Sequence, residues 1–195
     1  MCRTAVEREE KAEMGKILVV YYSLVNGNTK RIADLIAERK DADTLRLQTV
    51  EPYPDNDKAR KKKAREDDEK GILPELEKAN YDFDSYDTFY IGTPVWGCSM
   101  AAPVRSFLAS HDFTGKKVIP FATHSGEPGD VLSDIRKACE GAEFGPGFLI
   151  QFDPQEGPIM MTLYAEIFKW IKNSTQEGAR EEPVNRMMGG WGRPL

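Results

Sequence analysis

The chain has few cysteines and no long apolar run. Its three cysteines, Cys2, Cys98 and Cys139, are widely spaced among 195 residues, so a disulfide framework is not predicted and a reducing, cytoplasmic location is favoured. No apolar run approaches the length that a membrane-spanning helix requires. Residues 1–14 also lack the apolar segment of a secretory signal, and we interpret them as a disordered polar lead outside the fold.

An excess of positive charge and the common nucleotide motifs are missing as well. The net charge of −5 argues against nucleic acid as the main partner, because binding to phosphates favours a basic face. There is no GxxxxGK[ST] motif, so a nucleoside-triphosphate site built on lysine and Mg²⁺ is not predicted. There is no GxGxxG motif either, so the dinucleotide-binding fingerprint is absent.

What the sequence does contain is a series of short apolar runs bounded by turn residues, with helix-period segments between them. This alternation predicts βαβ units, and hence an α/β fold of three layers with a doubly wound parallel sheet. The first run is apolar throughout, as in strands buried on both faces. The predicted strands are ILVVYY (17–22), TLRLQTV (44–50), TFYIG (88–92), KVIPFAT (117–123) and GFLIQF (147–152), and the predicted helices span 29–39, 103–109, 130–139 and 161–172.

Some segments carry additional signals. TLRLQTV alternates between apolar and polar residues, which is typical of an edge strand, and Pro120 predicts a local irregularity in the fourth strand. KARKKKAREDDEK (58–70) contains i,i+4 pairs of opposite charge, so it is either a solvated helix at the sheet edge or a docking patch for a charged partner. The segment 173–195 has no periodicity and is interpreted as a mobile tail, which leaves 15–172 as the folded domain.

The loop after the first predicted strand, SLVNGNT, runs directly into the start of a helix. Gly27 permits backbone conformations that other residues avoid. The unpaired N–H groups and partial positive charge of a helix start bind anions, most naturally a phosphate. The alternative is a capped loop that holds no ligand. The side-chain donors of this loop are Ser23, Asn26, Asn28 and Thr29.

Two further loops follow the third and fourth predicted strands. In GTPVWGCSM, Trp96 either stacks on a flat ligand or caps the core, and Cys98 is interpreted as an unreactive neighbour of the site. In ATHSGEPGD, His124 is either a donor or proton source that modulates a bound ring, or a loop histidine without a chemical role. The other groups of this loop that can hydrogen-bond a heterocycle are the hydroxyls of Thr123 and Ser125 and the free N–H groups of Gly126 and Gly129.

Together the loops describe a phosphate site, an aromatic platform and a polar rim, which suits a phosphorylated flat heterocycle such as flavin mononucleotide (FMN). YYSLVNGNTKRIA resembles the phosphate loop of the flavodoxins, and GTPVWG with PVRSFL, followed by THSGEPG, resembles the flavin loops of their short-chain bacterial members. The resemblance covers residues 16–172. It implies a five-stranded sheet of order 2-1-3-4-5 and non-covalently bound FMN.

The resemblance also implies which residues hold FMN, with the first loop on the phosphate and the other two loops beside the ring. Val25 and Asn26 stand where the family has a single Thr or Ser, and we expect Asn26 to replace that hydroxyl. The candidate cofactor-binding residues are Ser23, Val25, Asn26, Gly27, Asn28, Thr29, Thr93, Pro94, Val95, Trp96, Gly97, Thr123, His124, Ser125, Gly126 and Gly129.

Two functions remain open at this stage, and neither involves a membrane or an assigned catalytic residue. An electron carrier that works with a redox partner protein, either a reductase or an acceptor, is favoured. The alternative is an FMN enzyme that reduces a small quinone-like acceptor with NADH or NADPH, with His124 and Trp96 lining the substrate pocket. A phosphoacceptor receiver domain is disfavoured, because it needs acidic residues where this chain has Tyr21, Tyr22 and Ser23.

Overall fold

The computed structural model of the protein describes residues 15–155 and 157–176. The predicted lead, 1–14, and the part of the predicted tail from 177 onward lie outside the described residues. The strands are β1 (Ile17–Tyr21), β2 (Asp43–Arg46), β3 (Thr88–Trp96), β4 (Ser99–Met100), β5 (Lys117–His124), β6 (Glu143–Phe144) and β7 (Phe148–Gln151), and the helices are α1 (Asn28–Lys40), α2 (Asp57–Glu69), α3 (Ala102–Ala109), α4 (Val131–Ala138) and α5 (Tyr164–Asn173).

The strands form one sheet with a parallel centre. β1 pairs in parallel with β2 on one side and with β3 on the other, and β5 pairs in parallel with β3. The fifth position is shared by β6 and β7, which both pair in parallel with β5. β4 pairs with β3 in the antiparallel direction, as the second arm of a hairpin. The predicted order 2-1-3-4-5 is confirmed, with β5 in the fourth position.

Separate apolar clusters cover the two faces of the sheet. Successive residues of β1 point to opposite faces, so Val19 belongs to one cluster and Val20 to the other, and both are fully buried. α1 and α5 cover the face of Val19, whereas α3 and α4 cover the face of Val20. The predicted three-layer, doubly wound architecture is therefore confirmed. No helix in the described ranges is long and apolar enough to cross a membrane.

The irregularity predicted at Pro120 is found in the neighbouring strand. β5 continues through Pro120, but the fifth position of the sheet is interrupted between β6 and β7. The Val118 carbonyl accepts a hydrogen bond from the Gly145 N–H at 3.0 Å. Pro120, two residues further along, faces the same neighbour and has no N–H to donate. Pairing is lost at that point, which divides the fifth strand in two.

Two strands differ in length from the prediction by more than two residues. β2 ends at Arg46 and not at residue 50, because the chain then leaves the sheet edge and Thr49 forms an antiparallel bridge with Leu76. β3 extends past its predicted end to Trp96, because β5 and then β4 continue to pair with it. The second change matters for the site, since it makes Trp96 part of the sheet.

The connection from β2 to β3 contains α2, the predicted charged helix of residues 58–70. Two of its predicted i,i+4 pairs are present: the Lys62 ammonium lies 3.7 Å from the Glu66 carboxylate, and the Lys63 ammonium lies 2.5 Å from the Asp67 carboxylate. The first pair is exposed, and such pairs contribute little to stability. The second pair involves a carboxylate that is fully buried.

We expect Gly92→Ala to destabilise the ligand-free protein. A Cβ at this position of β3 would lie 2.2 Å from the buried ring of Phe121. Overpacking of a core costs about 1–3 kcal/mol, so the free energy of unfolding in urea should fall by that amount. Gly126→Ala is the matched control, because a Cβ there meets no atom within 4 Å. Equal losses for both variants would contradict a packing cause.

Candidate functional site

A cleft of about 860 Å³ opens at the carboxyl ends of β1, β3 and β5. It lies where the strand order reverses, because β2 and β3 pair with opposite sides of β1. Open α/β sheets bind their ligands in this kind of crevice, and the volume falls within the range of small-molecule sites.

Most of the candidate residues line this cleft. Four do not, namely Gly27, Thr93, Gly126 and Gly129. Those that line it are Ser23, Val25, Asn26, Asn28, Thr29, Pro94, Val95, Trp96, Gly97, Thr123, His124 and Ser125.

The loop after β1 turns sharply into α1. Asn26 and Gly27 both adopt left-handed backbone conformations, with φ of 55° and 67°, which asparagine tolerates better than most residues and glycine adopts without strain. α1 then begins at Asn28, and no side chain of the described residues caps it. The N–H groups of its first turn and the positive end of the helix dipole are therefore available to an anion, as the sequence predicts.

The Ser23 hydroxyl is a buried polar group without a partner. Ser23 is only 3% exposed, and within the described part of the chain its Oγ makes no hydrogen bond. Its carbonyl, by contrast, accepts a hydrogen bond from the Arg46 guanidinium at 2.9 Å. Leaving a buried hydroxyl unpaired costs about 1–3 kcal/mol, and such groups are rare in folded proteins. A ligand group bound at the start of α1 would supply the missing partner.

The hydroxyls of Thr29 and Thr123 join the first loop to the end of β5. Their Oγ1 atoms lie 2.8 Å apart, and both residues are buried. One hydroxyl donates to the other, so the accepting hydroxyl keeps its own proton for another partner. Thr29 and Thr123 were both predicted as ligand donors. While their mutual hydrogen bond persists, just one of the two hydroxyls can donate to a ligand.

The loop after β7 packs on the first loop, a contact that the sequence did not reveal. The Asn28 side-chain amide donates to the Gly157 carbonyl at 2.7 Å, and the Arg31 guanidinium donates to the Pro158 carbonyl at 3.2 Å. A Cβ at Gly157 would lie 2.2 Å from the Asn26 amide nitrogen, so a larger residue there would have to displace the Asn26 side chain. One amide proton of Asn28 remains for a ligand.

GTPVWGCSM forms the end of β3 and a tight hairpin. Gly97 and Cys98 occupy the two turn positions with φ of 59° and 67°, and Trp96 pairs with Ser99, as in two-residue hairpins with both central residues left-handed. Gly129 packs on this turn, where a Cβ would lie 2.2 Å from the Cys98 carbonyl oxygen. Gly129 therefore has a packing role outside the cleft.

The Trp96 indole is part of an aromatic cluster at the wall of the cleft. Its ring centroid lies 5.5 Å from that of Tyr22 and 5.0 Å from that of Tyr53, both in edge-to-face contact. Burial raises the pKa of Tyr22 to about 12, so its phenol is neutral at physiological pH. Trp96 is only partly buried, and it both packs on the core and lines the cleft. The contact with the core agrees with the interpretation that Trp96 caps it, whereas stacking on a flat ligand stays a prediction.

Thr93 and His124 make local contacts that define their roles. The Thr93 hydroxyl accepts a hydrogen bond from the Ala101 N–H at 2.9 Å and donates to the Pro94 carbonyl at 2.9 Å, so it fastens the end of β3 to the start of α3. Nδ1 of His124 donates to the Gly126 carbonyl at 2.6 Å, because a carbonyl can only accept. This bond orients the imidazole and leaves Nε2 for other partners.

Sequence reasoning missed an entire wall of the cleft. Residues of α2 that recur at helical spacing line the side facing the aromatic cluster. This spacing places them on one helix face, but no local pattern indicates what that face meets. The missed lining residues are Asp57, Arg60, Lys61, Ala64, Arg65, Asp68 and Glu69 of α2, Leu24 of the first loop, and Asp153, Pro154, Gln155 and Gly157 of the loop after β7.

We expect Ser23→Ala to stabilise the ligand-free protein by about 1 kcal/mol, because the change removes a buried hydroxyl that lacks a partner. Thr29→Val should have the opposite effect, since it leaves the Thr123 hydroxyl without its hydrogen bond. Urea unfolding of the ligand-free variants measures both changes. A loss of stability in Ser23→Ala would mean that the hydroxyl is hydrogen-bonded in the folded protein.

Comparison with known proteins places this site in a family. A protein-family model described as flavodoxin matches residues 16–165. A solved structure from Bacteroides uniformis ATCC 8492, classed as a flavoprotein, shares 29% identity, covering 81% of this chain and 98% of its own, with a TM-score of 0.66. A flavoprotein from Lactobacillus acidophilus NCFM, solved in complex with FMN, shares 25% identity, covering 69% of this chain and 92% of its own, with a TM-score of 0.59.

No curated protein matches the chain. The family match nevertheless includes all the strands and the three loops that meet at the cleft. The sheet order agrees with it, as does the position of the cleft at the point where that order reverses. The chain therefore belongs to the flavodoxin family.

Proposed function

We propose that the protein binds FMN in this cleft and carries electrons between redox partners. The observation that carries the proposal is the unpaired, buried Ser23 hydroxyl beside the uncapped start of α1, because a phosphate would satisfy both. The FMN complex of the Lactobacillus acidophilus relative supports the choice of phosphate compound. FMN, when bound, supplies the redox chemistry, and the protein sets its environment and exposure.

The residues of the cleft fit FMN from its phosphate to its ring. Ser23 and the first N–H groups of α1 suit the phosphate, helped by the amides of Asn26 and Asn28. Trp96 offers an aromatic face for the ring, and such contacts are worth about 0.5–1.5 kcal/mol beyond the area they bury. Hydrogen-bond donors and acceptors for the polar edge of the ring come from Thr123, His124 and Ser125.

A second candidate function is the reduction of a small quinone-like acceptor by NADH or NADPH. The α2 wall favours it, because a cleft of about 860 Å³ enclosed by two walls suits a small molecule beside the ring. A protein partner, either a reductase or an acceptor, needs the ring edge to be accessible.

Cytoplasmic location is part of the proposal, since Cys98 and Cys139 are free thiols and a reducing compartment keeps them so.

Loss of one phosphate contact should weaken FMN binding without affecting riboflavin. We expect Ser23→Ala to lower FMN affinity about tenfold to a hundredfold, because a hydrogen bond to a charged group is worth about 1.5–3 kcal/mol. Riboflavin has no phosphate, so its affinity should change little. Fluorescence titration of each ligand into apoprotein measures both values. Equal losses for the two ligands would assign Ser23 a structural role, and a parent protein that does not bind FMN would refute the proposed function.

The carrier function predicts that the FMN-loaded protein oxidises neither NADH nor NADPH at a catalytic rate when a quinone is present. Reduction should instead require a partner reductase. Steady-state absorbance at the nicotinamide band, with and without added reductase, separates the two functions. Rapid turnover by the purified protein alone would establish the quinone reductase and exclude a pure carrier.

A further inference from the structure

The α2 wall is built by a helix that has almost no apolar side chains. Its apolar residues are Ala59 and Ala64, and its buried residues are Arg60 and Asp67. A surface helix normally packs on its domain through an apolar stripe. Because α2 lacks one and contributes just Ala64 to the packing on the apolar core, its position beside the cleft depends mainly on polar contacts.

Asp67 makes the most buried of these contacts. It is fully buried, and its two carboxylate oxygens have different partners. Oδ2 accepts a hydrogen bond from the Tyr53 hydroxyl at 2.6 Å, and Oδ1 accepts one from the Lys63 ammonium at 2.5 Å. A buried carboxylate that loses a partner keeps its desolvation cost without compensation, so these bonds are expensive to break.

Tyr53 transmits this contact to the aromatic cluster. Its ring centroid lies 5.0 Å from that of Trp96 and 6.3 Å from that of Tyr22. Burial and the hydrogen bond to Asp67 raise the pKa of Tyr53, so its hydroxyl keeps the proton that it donates. A single carboxylate thus connects α2 with the indole on the neighbouring wall of the cleft.

The other contacts of α2 are local or exposed. Arg60 donates to the Asp55 carbonyl at 2.8 Å, which ties the helix to its own preceding loop. Tyr53 belongs to the same loop, but its ring packs against Trp96 of β3. Asp68 pairs with Arg105 of α3 at 2.6 Å, but this carboxylate is 40% exposed, and exposed pairs contribute little. Among the hydrogen bonds that the described residues show, the one between Asp67 and Tyr53 is the buried contact that connects α2 with the aromatic cluster. The Lys63 ammonium also lies 5.7 Å from the centroid of the Tyr53 ring.

We propose that Asp67 is a positioning residue of the cofactor site, whose carboxylate latches α2 to Tyr53 and so holds α2 and Trp96 together as two neighbouring walls of the cleft. The identity of the enclosed cofactor, FMN, rests on the proposed function. With the latch intact, α2 encloses the cofactor. When the latch is broken, α2 separates from the aromatic cluster, the cleft opens and the cofactor dissociates faster.

Tyr53→Phe tests the latch with the smallest change, because it removes one hydroxyl and keeps the ring against Trp96. Tyr86→Phe is the matched control. Its hydroxyl donates to the Asp43 carboxylate at 2.8 Å, so the same kind of bond is lost, at a position that does not line the cleft. Asp67→Ala, which removes the acceptor of the latch and leaves Tyr53 in place, provides a second variant with the same expected outcome should Tyr53→Phe fail to fold.

Two measurements on the full chain decide the proposal. The first is backbone hydrogen exchange of α2 in the ligand-free protein, and the second is the dissociation rate of FMN from the loaded protein. Tyr53→Phe should increase both about tenfold or more, as expected for the loss of a hydrogen bond to a charged group. Tyr86→Phe should leave both at the parent value. A purely structural role for Tyr53 would lower the melting temperature without changing the dissociation rate.

Unchanged exchange of α2 in Tyr53→Phe would overturn the proposal, and so would faster exchange combined with an unchanged dissociation rate. In both cases the parent still binds FMN and the proposed function stands. If the parent does not bind FMN, the proposed function fails by itself. Exchange of α2 in the ligand-free variants then supports or refutes the latch without reference to any cofactor.

Discussion

The burial of β1 on both faces is the constraint on which the rest of the structure depends. Val19 and Val20 are fully buried on opposite sides, and a shift of one residue would exchange the two faces of the strand. With β1 fixed, the chain must leave the sheet at Ser23. It must also turn within the left-handed pair Asn26 and Gly27, so that Ile32 of α1 can return to the same cluster as Val19.

The same constraint concentrates unsatisfied polar groups at one point. The end of β1 delivers the Ser23 hydroxyl to a buried position without a partner, and the sharp turn leaves the first N–H groups of α1 uncapped. Both arrangements cost stability in the absence of ligand. Violations of ordinary folding rules that coincide in space are typical of binding sites, because the ligand offsets their cost when it binds.

Features that depend on local sequence were predictable, and features that depend on distant contacts were not. The alternation of apolar runs and helix-period segments was sufficient for the layers, because a central strand such as β1 is apolar throughout when both of its faces are buried. The sheet order, by contrast, was implied by the family resemblance. The three loops were recognisable because each follows a strand. The Thr93 hydroxyl, however, is already hydrogen-bonded to the Ala101 N–H, and Gly129 packs against the Cys98 carbonyl oxygen. These pairings arise from the β3–β4 hairpin, and nothing near either residue in the sequence indicates them.

The two walls of the cleft differ in what holds them, and this difference bears on both candidate functions. The hairpin wall belongs to the sheet and is fixed by apolar packing around Trp96. The α2 wall is fixed by charges and hydrogen bonds, of which the contact between Asp67 and Tyr53 is buried. Polar contacts are short-ranged and directional, so the loss of that one bond would weaken the α2 wall far more than the hairpin wall. Under the two proposals above, a closed α2 would favour a small acceptor beside the ring and a released α2 would favour a protein partner. The position of this helix is therefore the point at which the two candidate functions differ.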